Sequence, residues 1–474
     1  MSNLAGSHQT DNIVSPPPLE RDRAIRESYA RDASGLWLVP DAVARPASTD
    51  EVTELVRAAA RDRFAITPAG GQTSTTGASI CDRGVVLSTR AMDRIIDIDV
   101  DARIARVQPG LLLGDLQRAL QPHGLFFAPD PTSDQECTVG GAIACNASGP
   151  RTLQYGATRA HVNALTVVLA SGENVSVRRQ HLEKNTVGNA VIHEPVDWFV
   201  GSEGTLGVIV EAELALLPLP VREIGLGIPF PDESSALAFI VAARTSTEVA
   251  ARCLEYFDAA SFGIARGHDD ASPSSAGWSV DAGTTMVYAE QSSHDDAIPL
   301  DAWIALAERF GANDADVRVF EGGAAIREAR RLRHAVPSAM HERAAPFLKS
   351  GGRRVSTDWA VPYESAARAV ATARHHANTA GIEAGIIYGH LGNGHPHQNF
   401  IARDPGEVRT IEAVVERTLR DVIAMGGTVA AEHGIGKIKS KWLPLQLSAQ
   451  QISVMRAIRQ ALDPDGMFAP GNVA

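Results

Sequence analysis

The stretch of residues 129–159 constrains this chain more than any other part of its sequence. It reads PDPTSDQECTVGGAIACNASGPRTLQYGATR, with glycines set among small and hydroxylated side chains. Glycine lets backbone N–H groups come close to a ligand because no Cβ intervenes, and clustered N–H donors bind anions. Composition alone favours a turn-rich surface loop. The length of the stretch, and a second glycine-rich loop upstream, favour instead a cradle for an extended ligand with phosphates and a flat ring.

The second loop, residues 68–74 (PAGGQTS), lies between apolar residues 64–66 and 85–87. Together the two loops resemble the FAD-binding domain of the vanillyl-alcohol oxidase/PCMH superfamily, and more narrowly its D-lactate, glycolate and D-2-hydroxyglutarate dehydrogenase branch. Residues 198–207 (WFVGSEGTLG) are similar to the segment that closes that domain. The resemblance implies an α+β fold, with a two-lobed PCMH-type FAD-binding domain and an α+β cap domain whose sheet is covered by helices.

The resemblance also implies which residues contact FAD. In the family, the first loop wraps the pyrophosphate and the longer stretch lines the flavin. The implied contacts are Pro68, Gly70, Gly71, Gln72, Thr73, Ser74, Pro129, Asp130, Thr132, Ser133, Thr138, Gly140, Gly141, Asn146, Ser148, Gly149, Tyr155, Gly156, Thr158, Gly204, Gly207, Val208 and Asn472. No histidine is placed in the first loop in a way that suggests a covalent flavin link, so we expect FAD to be bound non-covalently.

At 474 residues the chain is too long for a single core, so we expect two or more domains. With the family as a guide, we expect an N-terminal arm and helix at 1–36, the FAD-binding domain at 37–218, the cap at 219–440, and a segment returning to the FAD domain at 441–474. The polar residues 267–277 are expected to form a mobile loop. Asp50 is expected to cap a helix that ends at Arg63.

Charge and cysteine usage exclude several classes of protein. The formal net charge of −12 argues against a nucleic-acid partner, because neutralising phosphates needs a basic face. The four cysteines form no CxxC pair, so we expect neither a disulfide framework nor a cysteine-ligated iron–sulfur cluster. No signal peptide or membrane span is evident, which predicts a cytoplasmic protein, with peripheral membrane association left open. No GxGxxG or P-loop pattern marks a nicotinamide or ATP site.

A second group of polar residues lies in the C-terminal half. Residues 389–399 (GHLGNGHPHQN) follow an apolar, strand-like segment, and residues 432–436 (EHGIG) follow a helix-like one. Their histidines and glutamate offer ligands for a divalent metal such as Zn²⁺ or Mn²⁺. Histidines in a polar turn are the simpler interpretation. A metal-dependent hydrolase is another, although it leaves the glycine loops unexplained and the chain lacks HExxH.

These two stretches resemble the family motifs GHxGDGNxHxN and EHGIG. The match implies metal ligands at His390, His397 and Glu432, a substrate contact at Asn399, and the base at His433. The chain departs from the pattern at two positions, where Asn393 replaces aspartate and His395 replaces asparagine. His395 is therefore open as an additional or alternative ligand.

The resemblance implies a small 2-hydroxy acid as substrate. Four arginines crowd the helix-like residues 324–335, and a solvated basic helix face is the simpler interpretation of most of them. Arg333 best matches the family's substrate arginine, and its fork suits a carboxylate. The implied reaction oxidises a D-2-hydroxy acid to the 2-oxo acid by metal-assisted hydride transfer to flavin N5. The electron acceptor stays open among a quinone, a cytochrome, an electron-transfer flavoprotein and oxygen, as does a homodimer. Alternatives are other chemistry on the same fold, such as alkylglycerone-phosphate-synthase-like or alcohol oxidase activity, and an electron-transfer or regulatory subunit.

Overall fold

A computed structural model of the chain describes residues 14–180, 182–268, 283–295, 297–383 and 385–473. Most of the loop expected at 267–277 and the first part of the expected N-terminal arm lie outside the described residues. The rest forms a mixed helix and sheet structure with two halves, as the α+β prediction requires.

The N-terminal half contains two main sheets. Its strands are β1 (Ala42–Ala44), β2 (Ile66–Ala69), β3 (Val85–Ser88), β4 (Ile95–Asp99), β5 (Ile104–Val107), β6 (Leu125–Phe126), β7 (Val162–Val168), β8 (Asn174–Arg178), β9 (Val208–Ala215) and β10 (Leu217–Pro218). Its helices are α1 (Arg23–Ser28), α2 (Thr49–Asp62), α3 (Leu113–Leu120), α4 (Val139–Cys145), α5 (Thr152–Tyr155), α6 (Ala190–His193) and α7 (Val196–Phe199). A parallel sheet in the order β1-β3-β2 and an antiparallel sheet in the order β4-β5-β9-β7-β8 form the two lobes, and β6 pairs with β10.

Helix α2 illustrates how local sequence sets a helix boundary. The hydroxyl of Ser48 accepts the N–H of Glu51, so Ser48 is the N-cap and the prediction of Asp50 is wrong. Asp50 is the second residue of the helix, where its negative charge interacts favourably with the helix dipole. The predicted end is confirmed, because Arg63 closes the helix in a left-handed conformation.

The C-terminal half is built on one antiparallel sheet in the order β14-β11-β13-β12-β16-β17-β15. Its strands are β11 (Arg222–Phe230), β12 (Cys253–Phe257), β13 (Thr285–Ser293), β14 (Arg318–Glu321), β15 (Arg353–Ser356), β16 (Ile386–His390) and β17 (His395–Ala402). Its helices are α8 (Glu233–Thr245), α9 (Ala259–His268), α10 (Leu300–Glu308), α11 (Gly322–Ala344), α12 (Ala366–Thr379) and α13 (Pro405–Ala424). Helices α8, α10, α12 and α13 share one apolar core, which includes Trp303 and Trp359, while α9 and α11 contribute to a separate core.

The chain ends with α14 (Leu443–Gln446), α15 (Ala449–Leu462) and a segment that packs on the N-terminal half. Phe468 is fully buried in the core of the parallel sheet and forms a bridge with Ile66. The four domain boundaries expected from the sequence stay a prediction. No helix in the described ranges is both long and apolar enough to cross a membrane.

Candidate active site

A cavity of about 1000 Å³ lies where the two halves of the chain meet, and it brings both predicted sites together. Its volume is within the range of cofactor sites. The predicted FAD contacts that line it are Pro68, Gly70, Gly71, Gln72, Thr73, Ser74, Thr132, Ser133, Thr138, Gly140, Gly141, Ser148, Gly204, Gly207 and Val208. Arg333, His397, Glu432 and His433 line the same cavity. Residues 31–37, most of which were assigned to the N-terminal arm, also form part of its wall.

The remaining predicted contacts are not among the lining residues. They are Pro129, Asp130, Asn146, Gly149, Tyr155, Gly156, Thr158 and Asn472. Several of them hold the lining segments in place. The Thr158 hydroxyl donates to the Ala147 carbonyl at 2.6 Å, and Asn472 Nδ2 donates to the Glu203 carbonyl at 3.1 Å. Whether any of the eight contacts FAD directly stays a prediction.

The two glycine loops lie so close together that only glycine fits at their contact. A Cβ on Gly71 would lie 1.9 Å from the Glu136 carbonyl oxygen, and a Cβ on Gly70 would lie 2.1 Å from Thr138 Oγ1. Thr138 Oγ1 also accepts the N–H of Gly141 and caps α4. The result is a wall of backbone and hydroxyl groups, which fits the phosphates and polar ring edges of FAD.

The predicted metal ligands come together at the cap side of the cavity. Strands β16 and β17 form a hairpin in which His390 faces His395, and His397 follows two residues later on the same face. Glu432 Oε2 lies 3.2 Å from His390 Nε2, 3.7 Å from His397 Nε2 and 3.9 Å from His395 Nδ1. The structure thus brings the three predicted ligands together and adds His395 to them.

The charges of this cluster fit a bound cation. Burial opposes protonation of His390, yet Glu255 and Glu432 outweigh it and raise its pKa to about 10. Burial would raise the pKa of Glu432, but His390 and His433 hold it well below its ordinary value. The buried Nε2 atom of His390, which faces Glu432, makes no hydrogen bond with any described residue. A divalent metal would supply the charge and the missing partner, and three imidazoles with one carboxylate suit Zn²⁺ or Mn²⁺.

Glu255, in the middle of β12, connects the predicted metal site to the predicted substrate arginine. It is 1% exposed. Its Oε1 lies 2.5 Å from His390 Nδ1, and its Oε2 accepts from Arg333 Nε at 2.9 Å. Burial would raise its pKa, but His390 and Arg333 lower it, so Glu255 is ionised. The Arg333 guanidinium also lies 4.6 Å from the ring centre of Tyr388, which adds a cation–π contact.

Asp358 holds the predicted base. Its Oδ1 lies 3.2 Å from His433 Nδ1, and its Oδ2 accepts the backbone N–H of His433 at 3.0 Å. Lys439 Nζ donates to the same carboxylate. Burial would raise the pKa of Asp358, but His433 and Lys439 hold it well below its usual range. An ionised carboxylate behind a cavity-lining imidazole is the arrangement that a general base needs.

Asn399 is placed behind the cavity wall. It is fully buried on β17, and its Oδ1 accepts from Arg354 Nε at 2.6 Å. Arg354 lines the cavity, whereas Asn399 is not among its lining residues. The predicted contact between Asn399 and the substrate therefore stays a prediction.

Charged contacts join the two halves near the cavity. Glu290, fully buried in β13, lies 2.6 Å from Arg330, 2.8 Å from Arg252 and 3.3 Å from Arg151 of the N-terminal half. Arg330 also lies 3.1 Å from Asp130 in the glycine-rich stretch. These contacts fix α11, which carries the predicted substrate arginine, against the FAD side of the cavity.

Comparison with known families now identifies the class of protein. The family described as FAD binding domain matches residues 40–178, and the family described as FAD linked oxidases, C-terminal domain, matches residues 220–473. The chain belongs to the FAD-linked oxidases. The predicted family and the two-domain α+β fold are therefore confirmed, and this FAD-linked oxidase is an FAD-dependent oxidoreductase.

Relatives of this FAD-linked oxidase cover almost its whole length. It is 28% identical over 473 residues to the glycolate oxidase subunit GlcD of Bacillus subtilis (98% of this chain, 96% of the relative). It is 30% identical over 434 residues to a D-lactate dehydrogenase of Archaeoglobus fulgidus (91% and 90%). Among solved structures, an alkyldihydroxyacetonephosphate synthase matches with a TM-score of 0.72 and 18% identity, over 96% of this chain and 87% of the other. That likeness shows the fold alone.

Sequence reasoning missed three carboxylates that organise the site of this FAD-linked oxidase. Glu255 and Asp358 were given no role, although Glu255 interrupts the apolar run CLEYF, and that interruption was an available signal. Glu203 lies in a quoted motif, but its function was not foreseen. Its carboxylate accepts the N–H groups of Ile435 and Gly436 at 2.5 and 2.6 Å, and so ties the loop of the predicted base to the FAD domain.

Proposed function

We propose that this FAD-linked oxidase is a dehydrogenase that oxidises a D-2-hydroxy acid to the corresponding 2-oxo acid. One observation carries the proposal: a single cavity is lined by residues of both glycine loops, by Arg333, and by His397 and Glu432 of the His/Glu cluster. His433, whose imidazole faces Asp358, lines the same cavity. Relatives named glycolate oxidase subunit, D-lactate dehydrogenase and D-2-hydroxyglutarate dehydrogenase support the same substrate class.

Arg333 is proposed to bind the substrate carboxylate. Glu255 engages its Nε edge and keeps the guanidinium in place, while Arg333 itself lines the cavity. Burial lowers the pKa of Arg333, but Glu255 outweighs that effect and raises it, so the cation persists at all working pH values. A positioned guanidinium orients the α-carbon and reduces the entropy that the reaction must overcome.

His433 is proposed to accept the proton of the substrate hydroxyl. Asp358 faces its Nδ1, which leaves Nε2 as the basic nitrogen, and the ionised carboxylate stabilises the imidazolium that forms. His390, His397 and Glu432 would hold a divalent metal, whose Lewis acidity lowers the pKa of a bound hydroxyl. The glycine loops would hold FAD, which would supply the acceptor for the α-hydrogen and its two electrons, so that the 2-oxo acid can form.

The test is a panel of D- and L-2-hydroxy acids, with mono- and dicarboxylic members, assayed with the FAD-loaded protein and an artificial electron acceptor. We expect turnover with at least one D-acid, formation of the 2-oxo acid, and loss of turnover in His397→Asn. The matched control His376→Asn changes another cap histidine beside a carboxylate, which lies outside the cavity lining, and should keep activity. A protein that oxidises aryl alcohols but no 2-hydroxy acid would contradict the proposal.

The FAD is proposed to be non-covalent, so acid precipitation should release the yellow chromophore into the supernatant. Colour that stays with the precipitate would contradict this. The natural electron acceptor is proposed to be a quinone, a cytochrome or an electron-transfer flavoprotein, and comparing these three as oxidants of the substrate-reduced enzyme would separate them.

A further inference from the structure

We propose that His395 is a fourth metal ligand of this chain, in addition to His390, His397 and Glu432. The inference rests on the proposed function, because it concerns the same metal. It goes beyond the family pattern, which has asparagine at this position. The role of His395 is therefore argued from the contacts of this chain.

The hairpin geometry places His395 among the ligands. It is the first residue of β17 and lies directly across from His390, the last residue of β16. Side chains of residues that face each other in an antiparallel pair point to the same side of the sheet, as do residues two apart on one strand. His395 therefore shares a face with both His390 and His397. The ring centres of His395 and His397 are 4.5 Å apart.

The separations fit four atoms around one ion. The candidate ligand atoms of the three histidines and Glu432 lie within 4.8 Å of one another. Metal–nitrogen bonds of about 2.1 Å place neighbouring ligand atoms roughly 3 to 4 Å apart. The distance of 3.9 Å from His395 Nδ1 to Glu432 Oε2 is within this range, close to the 3.7 Å of the predicted ligand His397.

Each imidazole also has a protein oxygen next to its other nitrogen. Glu255 Oε1 lies beside His390 Nδ1, the Thr357 carbonyl oxygen lies 3.4 Å from His397 Nδ1, and Asp358 Oδ1 lies 3.0 Å from His395 Nε2. Metal-binding histidines have such a partner, which fixes the ring and directs the second nitrogen to the metal. His395 meets the same criterion as the two predicted histidine ligands.

A simple ion pair between His395 and Asp358 is a weaker explanation for the position of His395 than metal ligation. Asp358 already has Lys439 and His433 as cationic or proton-donating partners. A further protonated histidine would place an additional positive charge in a buried site. Ligation of a metal through Nδ1 instead involves the edge of the ring that points toward Glu432.

Four protein ligands restrict which metal ion could also bind the substrate. A 2-hydroxy acid that chelates through its carboxylate and hydroxyl oxygens needs two further positions, so the metal must accept six ligands. Zn²⁺ usually takes four ligands and expands to five, whereas Mn²⁺ accepts six. Four protein ligands together with a chelating 2-hydroxy acid would therefore favour Mn²⁺ over Zn²⁺, the two ions left open by the sequence.

The experiment counts imidazoles on Mn²⁺ and measures its affinity in the FAD-loaded protein. Pulsed EPR should detect three coupled imidazole nitrogens in the wild type and two in His395→Asn, which restores the family's residue. Chelator competition should give Mn²⁺ binding at least about tenfold weaker in His395→Asn, since losing a ligand should cost no less than losing a partner behind a ligand. His395→Gln serves as a second variant in case His395→Asn fails to fold, and His376→Asn should match the wild type.

The outcomes separate this inference from the proposed function. Two coupled imidazoles in the wild type, or unchanged affinity in both His395 variants, would overturn the role of His395 and leave the three-ligand site intact. A wild type that binds no divalent metal would overturn both the fourth ligand and the metal-assisted reaction.

Discussion

Replacing Glu255 with glutamine is the sharpest perturbation of the site, because one buried carboxylate serves two functional groups. Glutamine has nearly the same shape but no charge. It would leave the Arg333 cation buried beside a neutral amide, and the amide can accept from Arg333 or from His390 with its single oxygen. Removing one partner of a buried ion pair costs about 3 to 5 kcal/mol. We expect a loss of this size in the free energy of unfolding of Glu255→Gln.

The same substitution should weaken metal binding. Glu255 lies behind His390, and loss of such a partner typically lowers metal affinity about 10- to 100-fold. Chemical denaturation of metal-free protein, followed by the fluorescence of the buried cap residues Trp303 and Trp359, measures the stability term. Chelator competition measures the affinity for the metal.

The pH dependence of the Glu255 effect has a definite sign. The folded pKa of Glu255 is lowered, because the charges of His390 and Arg333 outweigh its burial. Its contribution to stability is therefore complete above the unfolded pKa of about 4.3 and is lost as the pH falls through the lower folded value. The stability difference between wild type and Glu255→Gln should shrink below about pH 4.3.

Glu412→Gln is the matched control. Glu412 pairs with Arg353 at 2.7 Å and with Lys441 at 2.9 Å. All three side chains are partly exposed, and each such pair contributes only about 0 to 1 kcal/mol. Equal losses in Glu255→Gln and Glu412→Gln, or wild-type metal affinity in Glu255→Gln, would refute the reasoning.

Three further substitutions test other parts of the site. Arg333→Lys should raise KM roughly 10- to 100-fold with a smaller effect on kcat, because an ammonium cannot form a forked pair with a carboxylate; unchanged steady-state kinetics would move the anchor elsewhere. His433→Gln should lower kcat by a factor of about 10² to 10⁴ while the metal and FAD contents stay constant. Loss of metal from this variant would instead identify His433 as a metal ligand. Glu290→Gln should lower the free energy of unfolding by about 3 to 5 kcal/mol at neutral pH. The loss should be smaller below about pH 4.3, because three arginines lower the pKa of Glu290 despite its burial. Denaturation curves that show a constant difference down to about pH 3 would contradict this.

The sequence predicted the parts of the fold that depend on local pattern. Residues 104–107 and 386–388 were recognised as strands because apolar residues cluster there, and β5 and β16 confirm both. The hairpin strand β17 was treated as part of a turn motif, because its histidines and proline mask the strand pattern. Helices α4 and α5 inside the glycine-rich stretch were missed for a related reason, since glycine and proline argue against helix formation.

The site was predictable only as far as its motifs extend. His390, His397, Glu432 and His433 belong to contiguous motifs, so resemblance located them. Their carboxylate partners lie far away in sequence and depend on the order of strands in the cap sheet. Glu255 reaches His390 because β12 pairs with β16, which no local pattern predicts.

The central claim is that FAD and a 2-hydroxy acid meet in one cavity, with a metal bound by the His/Glu cluster. Anaerobic addition of a D-2-hydroxy acid to the FAD-loaded protein tests it most directly. We predict that the visible absorbance of the oxidised flavin bleaches as the 2-oxo acid forms in stoichiometric amount. Removal of the metal should abolish bleaching while FAD stays bound. Full bleaching in metal-free protein, or no bleaching with any 2-hydroxy acid, would contradict the account.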